Sequence, residues 1–524
     1  MMFGNTRKTI LIIAIGLLVL VPLVFFLIVY SLDFFWFGTK QGNPGFFEIF
    51  YKMSVDDSRQ ILGGMGEVIT AILGIVITVA SIVVQLAATR YTPRITEMFF
   101  KDKTNLLILA FFIVSAVYCL FMNFVIRGGS DHDFIPVAGS IVNVLLLTVS
   151  LILIAPYFMY VFHFLEPENI VKGIERQATS TLVRLRPDTD IDQLQQQVVR
   201  NVEQLADIAI NAIEQKDKGI ATSSIDSLRD LLREYQSCKD QLPEKWFAVT
   251  GPLRANTEFI SMHREVLSEI TEKRTWLEYK TLRQYQMIYN ESLNRMRDIN
   301  YIVAIDTRYL GEDAIRNRQQ ETLRLILKFF NTYLRATLNA KDVRTAYNVL
   351  HQYRLLAEAV LRAGMDDQLL EIAGYFRYYG QVAFNMNIAF ITETVAYDLT
   401  SLCELAFSAG AIVGDKLLDI LLEVDKEAEG EAQEKGLRGV RKAQIKMATY
   451  FLLHEDAERA HRIFLDMKTE PIDRIRSIRS ELVSVESKDF WEVIDRGENF
   501  DYLHPERRAM LHDFFAKFPE LARE

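Results

Sequence analysis

Cysteine is scarce in this chain. Its 524 residues hold only Cys119, Cys238 and Cys403, and no two of them form a CxxC pair. That excludes a disulfide framework or a cysteine zinc site and fits a reduced compartment for the soluble part. A cationic surplus is missing too. The 59 Lys and Arg face 68 Asp and Glu, for a formal net charge of −9, which argues against a nucleic-acid partner because phosphate binding needs excess positive charge. The eight histidines are scattered. His454-Glu455 begins like HExxH, but position 458 is Glu and the next histidine is His461, so the zinc spacing fails. No glycine-rich phosphate loop, Walker A motif or nucleophile elbow occurs. Asp131-His132-Asp133 reads as a solvated turn, and Asp366 and Asp367 as capping and solvating carboxylates. With no catalytic constellation assembled, the reading is of a protein that is not an enzyme and carries no cofactor or metal.

What is present is apolar sequence, unevenly spread. Residues 10–32 form an apolar run of about 34 Å as a helix, against a bilayer core of about 30 Å. An aromatic cluster, Phe34-Phe35-Trp36-Phe37, follows where a cleavage site would stand in a signal peptide. Further spans are expected at about 68–88, 106–126 and 136–165, the last long enough to tilt, bend at Pro156 or project. Arg7 and Lys8, then Arg90, Arg94, Lys101 and Lys103, then Lys172 and Arg176 fall on one side of a four-span arrangement. By the positive-inside rule both termini are cytoplasmic, in a bacterial inner membrane. The basic loop between the second and third spans is expected to lie in the headgroup region as a short amphipathic helix started by Pro93, in contact with anionic lipid through Arg90, Arg94, Lys101 and Lys103.

In the second span Glu67, Ala71, Gly74, Thr78, Ser81, Gln85 and Ala88 recur at alternating steps of four and three, which places them on one helical face. Ile72, Ile75, Val76, Val79, Ile82 and Val83 occupy the other. Lipid is expected against the branched face. The small and polar face is expected against protein, as a close packing surface, or against water, as a pore wall with Glu67 at its mouth.

The stretch ITAILGIVITVASIVVQLAATRYTPRI, residues 69–95, and FFKDKTNLLILAFFIVSAVYCL, residues 99–120, carry a family likeness. Gln85-Leu86-Ala87, Pro93-Arg94, Asp102 and Tyr118 resemble the pattern of a bacterial family of predicted membrane proteins, domain of unknown function 2254. A weaker likeness continues over residues 205–232. There the family's Ser-Pro-x-Ile-Asn-Asp-Pro signature is absent, and only its flanks, Ala209 to Ala212 and Ile225-Asp226-Ser227-Leu228, are present. The resemblance covers about the first 230 residues and implies a topology, not an activity.

From residue 166 onward helical periodicity dominates. Leu194, Val198, Val202, Leu205, Ile208 and Ala212 form one apolar stripe, Leu323, Leu327, Phe330, Leu334 and Leu338 a second, and Leu350, Tyr353, Ala357, Val360 and Leu361 a third. Breaks are expected at Arg186-Pro187-Asp188, Leu242-Pro243, Gly251-Pro252, Gly311, Gly364, Gly410 and residues 427–439, and residues 246–250 are the best strand candidate. The expected fold is all-α: a four-helix transmembrane domain (1–165), a juxtamembrane helical domain (166–245), a helical domain (252–424) and C-terminal helical hairpins (440–524). No fixed repeat period is evident, so the soluble part reads as a helical bundle or irregular α-solenoid. The expected partners are the lipid bilayer, proteins bound by the cytoplasmic helical part, and further copies of the chain. The functional reading is a membrane-anchored interaction protein, with an oligomeric channel or transporter as the alternative.

Overall fold

The structure is a computed structural model that describes residues 54–90, 94–125, 137–183, 190–489, 496–497 and 499–521. The expected first span (10–32), the loop with Asp131-His132-Asp133 and the break at Arg186-Pro187-Asp188 lie outside the described residues. All regular structure among the described residues is helical. The chain divides into two compact units, Met1–Ile170 and Val171–Glu524.

In the first unit the helices are α1 (Val55–Arg90), α2 (Arg94–Lys101), α3 (Lys103–Val125) and α4 (Val137–Phe164). Three of the four expected spans are present as helices long and apolar enough to cross a membrane: Val55–Thr89, Lys103–Phe124 and Ala138–Phe164. The second expected span begins earlier than its apolar stretch because of its cap. The Ser54 hydroxyl accepts from the Asp57 N–H at 3.1 Å and donates to the Asp57 carboxylate at 2.6 Å, and Asp56 and Asp57 place negative charge in the first turn. At 36 residues α1 is about 54 Å long, more than a bilayer core requires. Its Ile72, Val76, Ala80 and Val84 join Phe99, Phe112, Tyr157 and Val161 in a core shared by α1, α2, α3 and α4.

The second unit holds the rest of α5 (Pro167–Val183), then α6 (Ile191–Glu214) and α7 (Lys218–Cys238). Three short helices follow: α8 (Gly251–Arg254), α9 (Thr257–Ile260) and α10 (Arg264–Glu272). An array comes next: α11 (Trp276–Arg295), α12 (Arg297–Arg316), α13 (Gln320–Asn339), α14 (Val343–Arg362), α15 (Asp366–Asn385) and α16 (Ala389–Ser408). The unit closes with α17 (Gly414–Leu422), α18 (Glu431–Leu453), α19 (Ala457–Met467), α20 (Ile472–Ser484) and α21 (Pro505–Phe515). From α11 to α16 each helix packs on its successor and on the next but one, the pattern of an α-solenoid.

This array does have a fixed period, contrary to the sequence reading. Arg318, Lys341, Gly364, Asn387 and Gly410 all take positive φ, between 52° and 68°, at intervals of 23 residues. Each ends its helix with the same pair of bonds. At the first turn, Arg318 N–H reaches Ile315 O at 3.1 Å and Gln319 N–H reaches Ala314 O at 2.8 Å; at the last, Gly410 N–H reaches Phe407 O at 3.0 Å and Ala411 N–H reaches Ala406 O at 2.9 Å. This is the Schellman arrangement, which satisfies the carbonyls that a helix end leaves open. After the first four turns the next residue, Gln319, Asp342, Met365 or Ile388, is the N-cap of the following helix, and Asp342 accepts from Thr345 N–H; after Gly410 the next helix begins only at Gly414. The period also fixes the core. Val303, Ile326, Val349, Ile372 and Val395 stand at the same place in five successive helices, all fully buried.

Three other expectations change. Gly311 is no break: it lies inside α12, where an added Cβ would come within 2.8 Å of Leu356. The expected break at 427–439 is helical from Glu431. The strand candidate at 246–250 begins in a 3₁₀ turn, Glu244–Phe247, because Trp246 is held by a local bond to Pro243 O and its own carbonyl accepts from Gln195 and Trp276 side chains rather than a neighbouring strand.

Candidate functional site

On α1 the small and polar stripe faces outward. Glu67, Ala71, Gly74, Thr78, Ser81 and Gln85 are exposed, Ala88 is half-buried, and a Cβ on Gly74 would meet no atom within 4 Å. The branched face is divided. Ile72 and Val76 are buried against the other helices, Val79 and Val83 are half-buried, and Ile75 and Ile82 are exposed. The expectation of a uniformly lipid-facing branched surface is therefore corrected: branched side chains fill the gaps of the unit's own core, a use that periodicity cannot separate from lipid contact.

The amphipathic helix between these spans is present as α2. Lys101 and Lys103 are exposed, with Lys101 paired to Glu97 at 3.3 Å; the side chains of Arg90 and Arg94 lie outside the described residues. Met98 is half-buried, but Phe99 points into the protein rather than toward the headgroups, with its ring 5.3 Å from that of Phe164. A buried polar cluster fixes the turn from α2 to α3. Asp102 Oδ1 accepts from Thr104 N–H at 2.9 Å and Asn105 N–H at 3.1 Å, capping α3, and also from the Tyr160 hydroxyl. Asn105 donates to Phe99 O at 3.2 Å and accepts from the Tyr157 hydroxyl at 3.0 Å. Farther along, the Cys119 thiol donates to Asn143 Oδ1 at 2.6 Å. Asn105 and Cys119 on α3, and Asn143 and Tyr157 on α4, were not singled out as a set from sequence. Their even spacing, two heptads apart on each helix, was the available signal.

In the second unit, buried charge is organised in clusters. Arg229 pairs with Asp226, Asp230 and Asp306, each at 2.8 or 2.9 Å. Burial raises the Asp306 carboxyl to about 7 against the pull of Arg229, because one guanidinium is shared among three carboxylates. An open cleft beside it is lined by Lys172, Lys218, Asp226, Arg229 and Asp230. Each of its cations already has a carboxylate: Lys172 has Glu175, Lys218 has Asp298, and Arg229 has its three. The cleft thus offers no unneutralised charge to an anion. A second cleft, between α13 and α15, is lined by Arg335, Tyr375, Tyr378 and Tyr379. His454 and His461, considered above for zinc, are engaged locally, His454 with Tyr450 O at 2.8 Å and His461 against the Phe464 ring.

The most developed surface runs over α14, α16 and α18. Residues from the C-terminal stretch lie along it in order. The Arg496 guanidinium donates to Asp398 and lies 4.5 Å from the Tyr347 ring centre. Phe500 stacks on Tyr397 at 4.6 Å, and its carbonyl accepts from Lys446 Nζ at 2.7 Å. Asp501 accepts from the Tyr397 hydroxyl and from Lys442 Nζ, both at 2.7 Å. Arg507 then grips Glu404 with two bonds, of 2.7 and 3.1 Å.

Residues 7–202 match the family described as Predicted membrane protein (DUF2254). The matched part contains Gln85, Pro93-Arg94, Asp102 and Tyr118, from which the resemblance was read, and so it contains the α2–α3 elbow. It stops inside α6. The weaker likeness at 205–232, the repeat array and the α14–α16–α18 surface lie beyond it. No curated protein matches the chain. A solved circular tandem repeat protein with novel repeat topology and enhanced subunit contact surfaces is 15% identical, over 90% of this chain and 99% of its own, with a TM-score of 0.24, and at that score it carries no argument about fold or function.

Proposed function

We propose that this is a membrane-anchored interaction protein of the bacterial inner membrane, with both termini cytoplasmic, whose helical unit binds protein partners. The observation that carries this reading is the regular array α11–α16. A solenoid stacks helices in register and so presents long, continuous side-chain rows, the usual basis of protein recognition in such folds. Catalysis has little to support it, since the buried charges of this unit are spent on each other. The test is in-cell photo-crosslinking from exposed positions on α13, α14 and α15, with the anchor intact. A reproducible protein adduct that disappears when the probe is moved into the core is expected; no adduct from any face would reject the reading. Reporter fusions after Asp131 and after Lys172 test the topology, with the first external and the second internal.

The outward stripe of α1 favours a second reading, an assembly of several copies around these faces, with or without a pore. Gly74→Leu then breaks assembly while leaving the monomer's fold intact, since nothing in the described residues occupies the space beside Gly74. Water-soluble thiol reagents should label cysteines placed at Thr78 and Ser81 if the stripe lines a pore, and fail to label them if it packs. Unchanged oligomeric state in Gly74→Leu, with no labelling, removes this reading.

A further inference from the structure

The surface over α14, α16 and α18 has the chemistry of a peptide site, and the chain itself shows what it selects. Asp398 projects from α16 with 1% of its side chain exposed, and the Arg496 side chain covering it is 6% exposed. Four residues after that arginine, Phe500 lies in a slot of Phe390 and Tyr397 rings. Asp501 follows, between Tyr397 and Lys442. The groove thus reads acid, aromatic, base along its length, and the segment in it supplies the complementary order. Gly497, at φ 75°, turns the backbone between the arginine and the aromatic.

The attachment is that of a docked peptide rather than of a core element. Described residues of the segment join no helix or strand ladder to the groove. The main-chain links are from side chains: Lys446 to the Phe500 carbonyl at 2.7 Å, and Arg496 to the Tyr347 carbonyl at 3.3 Å. The central ion pair is also incomplete. Arg496 Nε and Asp398 Oδ2 are both buried and have no hydrogen-bond partner among the described residues. Arginine and carboxylate ordinarily satisfy each other through two parallel bonds, and a buried charge with unmade bonds is costly. The chain's own Arg496 engages Asp398 with one prong, at the Oδ1 that Arg354 also faces at 3.4 Å, so Oδ2 is the oxygen left open. An arginine arriving on another chain is free to enter with two.

We propose that the α14–α16–α18 face is a peptide-recognition groove occupied by the chain's own Arg496, Phe500 and Asp501, and that a partner protein displaces them with a segment carrying an arginine, an aromatic four residues later and a carboxylate directly after it. This rests on the interaction reading above and names the partner chemistry for one of its surfaces.

The test uses the full chain in detergent and a fluorescent peptide with the sequence of residues 494–503. Binding is measured by anisotropy to the wild type and to Arg496→Ala/Phe500→Ala, in which the internal competitor is weakened. The expected result is binding to the double variant at least about tenfold tighter than to the wild type, lost when the peptide's arginine is replaced by alanine. No saturable binding to a variant that keeps its cooperative melting transition overturns the proposal. Should the variant not melt cooperatively, hydrogen exchange on the wild type decides: amides of residues 499–503 must exchange through local opening, well before those of α16 and α18, and exchange as slow as in those helices overturns it. A failed peptide test together with positive crosslinking from other faces of the unit removes the groove alone; failure of both removes the interaction reading.

Discussion

Alanine at position 439 should destabilise the helical unit even though it removes a helical glycine. Gly439 lies buried within α18, and an ideal Cβ there would stand 2.7 Å from Glu393 Cβ and Cγ and 2.8 Å from Cδ. The Cβ of Glu393 is fixed to the α16 backbone and cannot swing aside, so the two helices must separate or slide. Separation also disturbs the 3.3 Å contact between Glu393 and Lys442. Glycine to alanine in a helix interior normally gains about 1 kcal/mol, while overpacking a tight contact costs about 1–3 kcal/mol. The net for Gly439→Ala is a loss of up to about 2 kcal/mol. Gly374 is the internal control, because it lies in α15 with no atom within 4 Å of an added Cβ. Gly374→Ala should therefore gain about 0.5–1 kcal/mol. Thermal and denaturant unfolding, followed by emission from the buried Trp246 and Trp276, should order the proteins as Gly374→Ala, wild type, Gly439→Ala. A Gly439→Ala protein that unfolds at or above Gly374→Ala would show that α16 and α18 do not meet this closely.

The αL turns give a further pair of expectations: Arg318→Gly and Lys341→Gly should each raise stability by up to about 1 kcal/mol, and Gly364→Ala and Gly410→Ala should lower it by a similar amount, as read by denaturant midpoints. Asp306 holds its proton to about pH 7 when folded and releases it near pH 4 when unfolded, so the folded state binds the extra proton between those values. Its contribution to stability is present at low pH and declines as pH rises through that window, and Asp306→Asn should flatten this part of the stability profile; an unchanged slope contradicts it. His351 is pushed down to about 4 by burial, then by Arg496, Arg354 and Arg308. The neutral ring thus adds stability above about pH 6.5 that is lost as pH falls toward 4. Removing one of the charges, as in Arg496→Ala, should move the imidazole titration upward by NMR, and no movement would place Arg496 away from His351.

Much of this architecture was legible from the chain alone. Three apolar runs became membrane-length helices, the α2 segment after Pro93 became a short amphipathic helix, and the stripes beginning at Leu323 and Leu350 are buried in α13 and α14. The repeat was not legible, for a physical reason. Positive φ at its turns is met by glycine in only two of five cases, at 364 and 410, and by Arg, Lys or Asn in the others. The period therefore resides in backbone geometry and in burial, and a residue-by-residue comparison does not register it. Gly311 misled for a related reason: a glycine that admits a neighbouring helix looks the same in sequence as one that ends its own. Faces were found more readily than their surroundings. On α1 the small and polar stripe lies together on the exposed side, but the branched set straddles both sides, with Ile72 and Val76 buried and Ile75 and Ile82 exposed, because only neighbouring helices decide which side is inward. The α14–α16–α18 groove was hidden altogether, because Arg496 and Asp398 are 98 positions apart and each alone reads as an ordinary charged residue.

The uniform turn also governs how such a chain can change length. One helix with its turn occupies 23 residues and reverses the direction of travel. Gain or loss of a single such step would invert every helix after it and exchange the two sides of the array. Gain or loss of two leaves all later helices with their orientation and their neighbours' contours unchanged. The array is therefore a ruler graduated in hairpins: its reach can be adjusted by whole graduations in a gene, while the end that carries the groove keeps its shape.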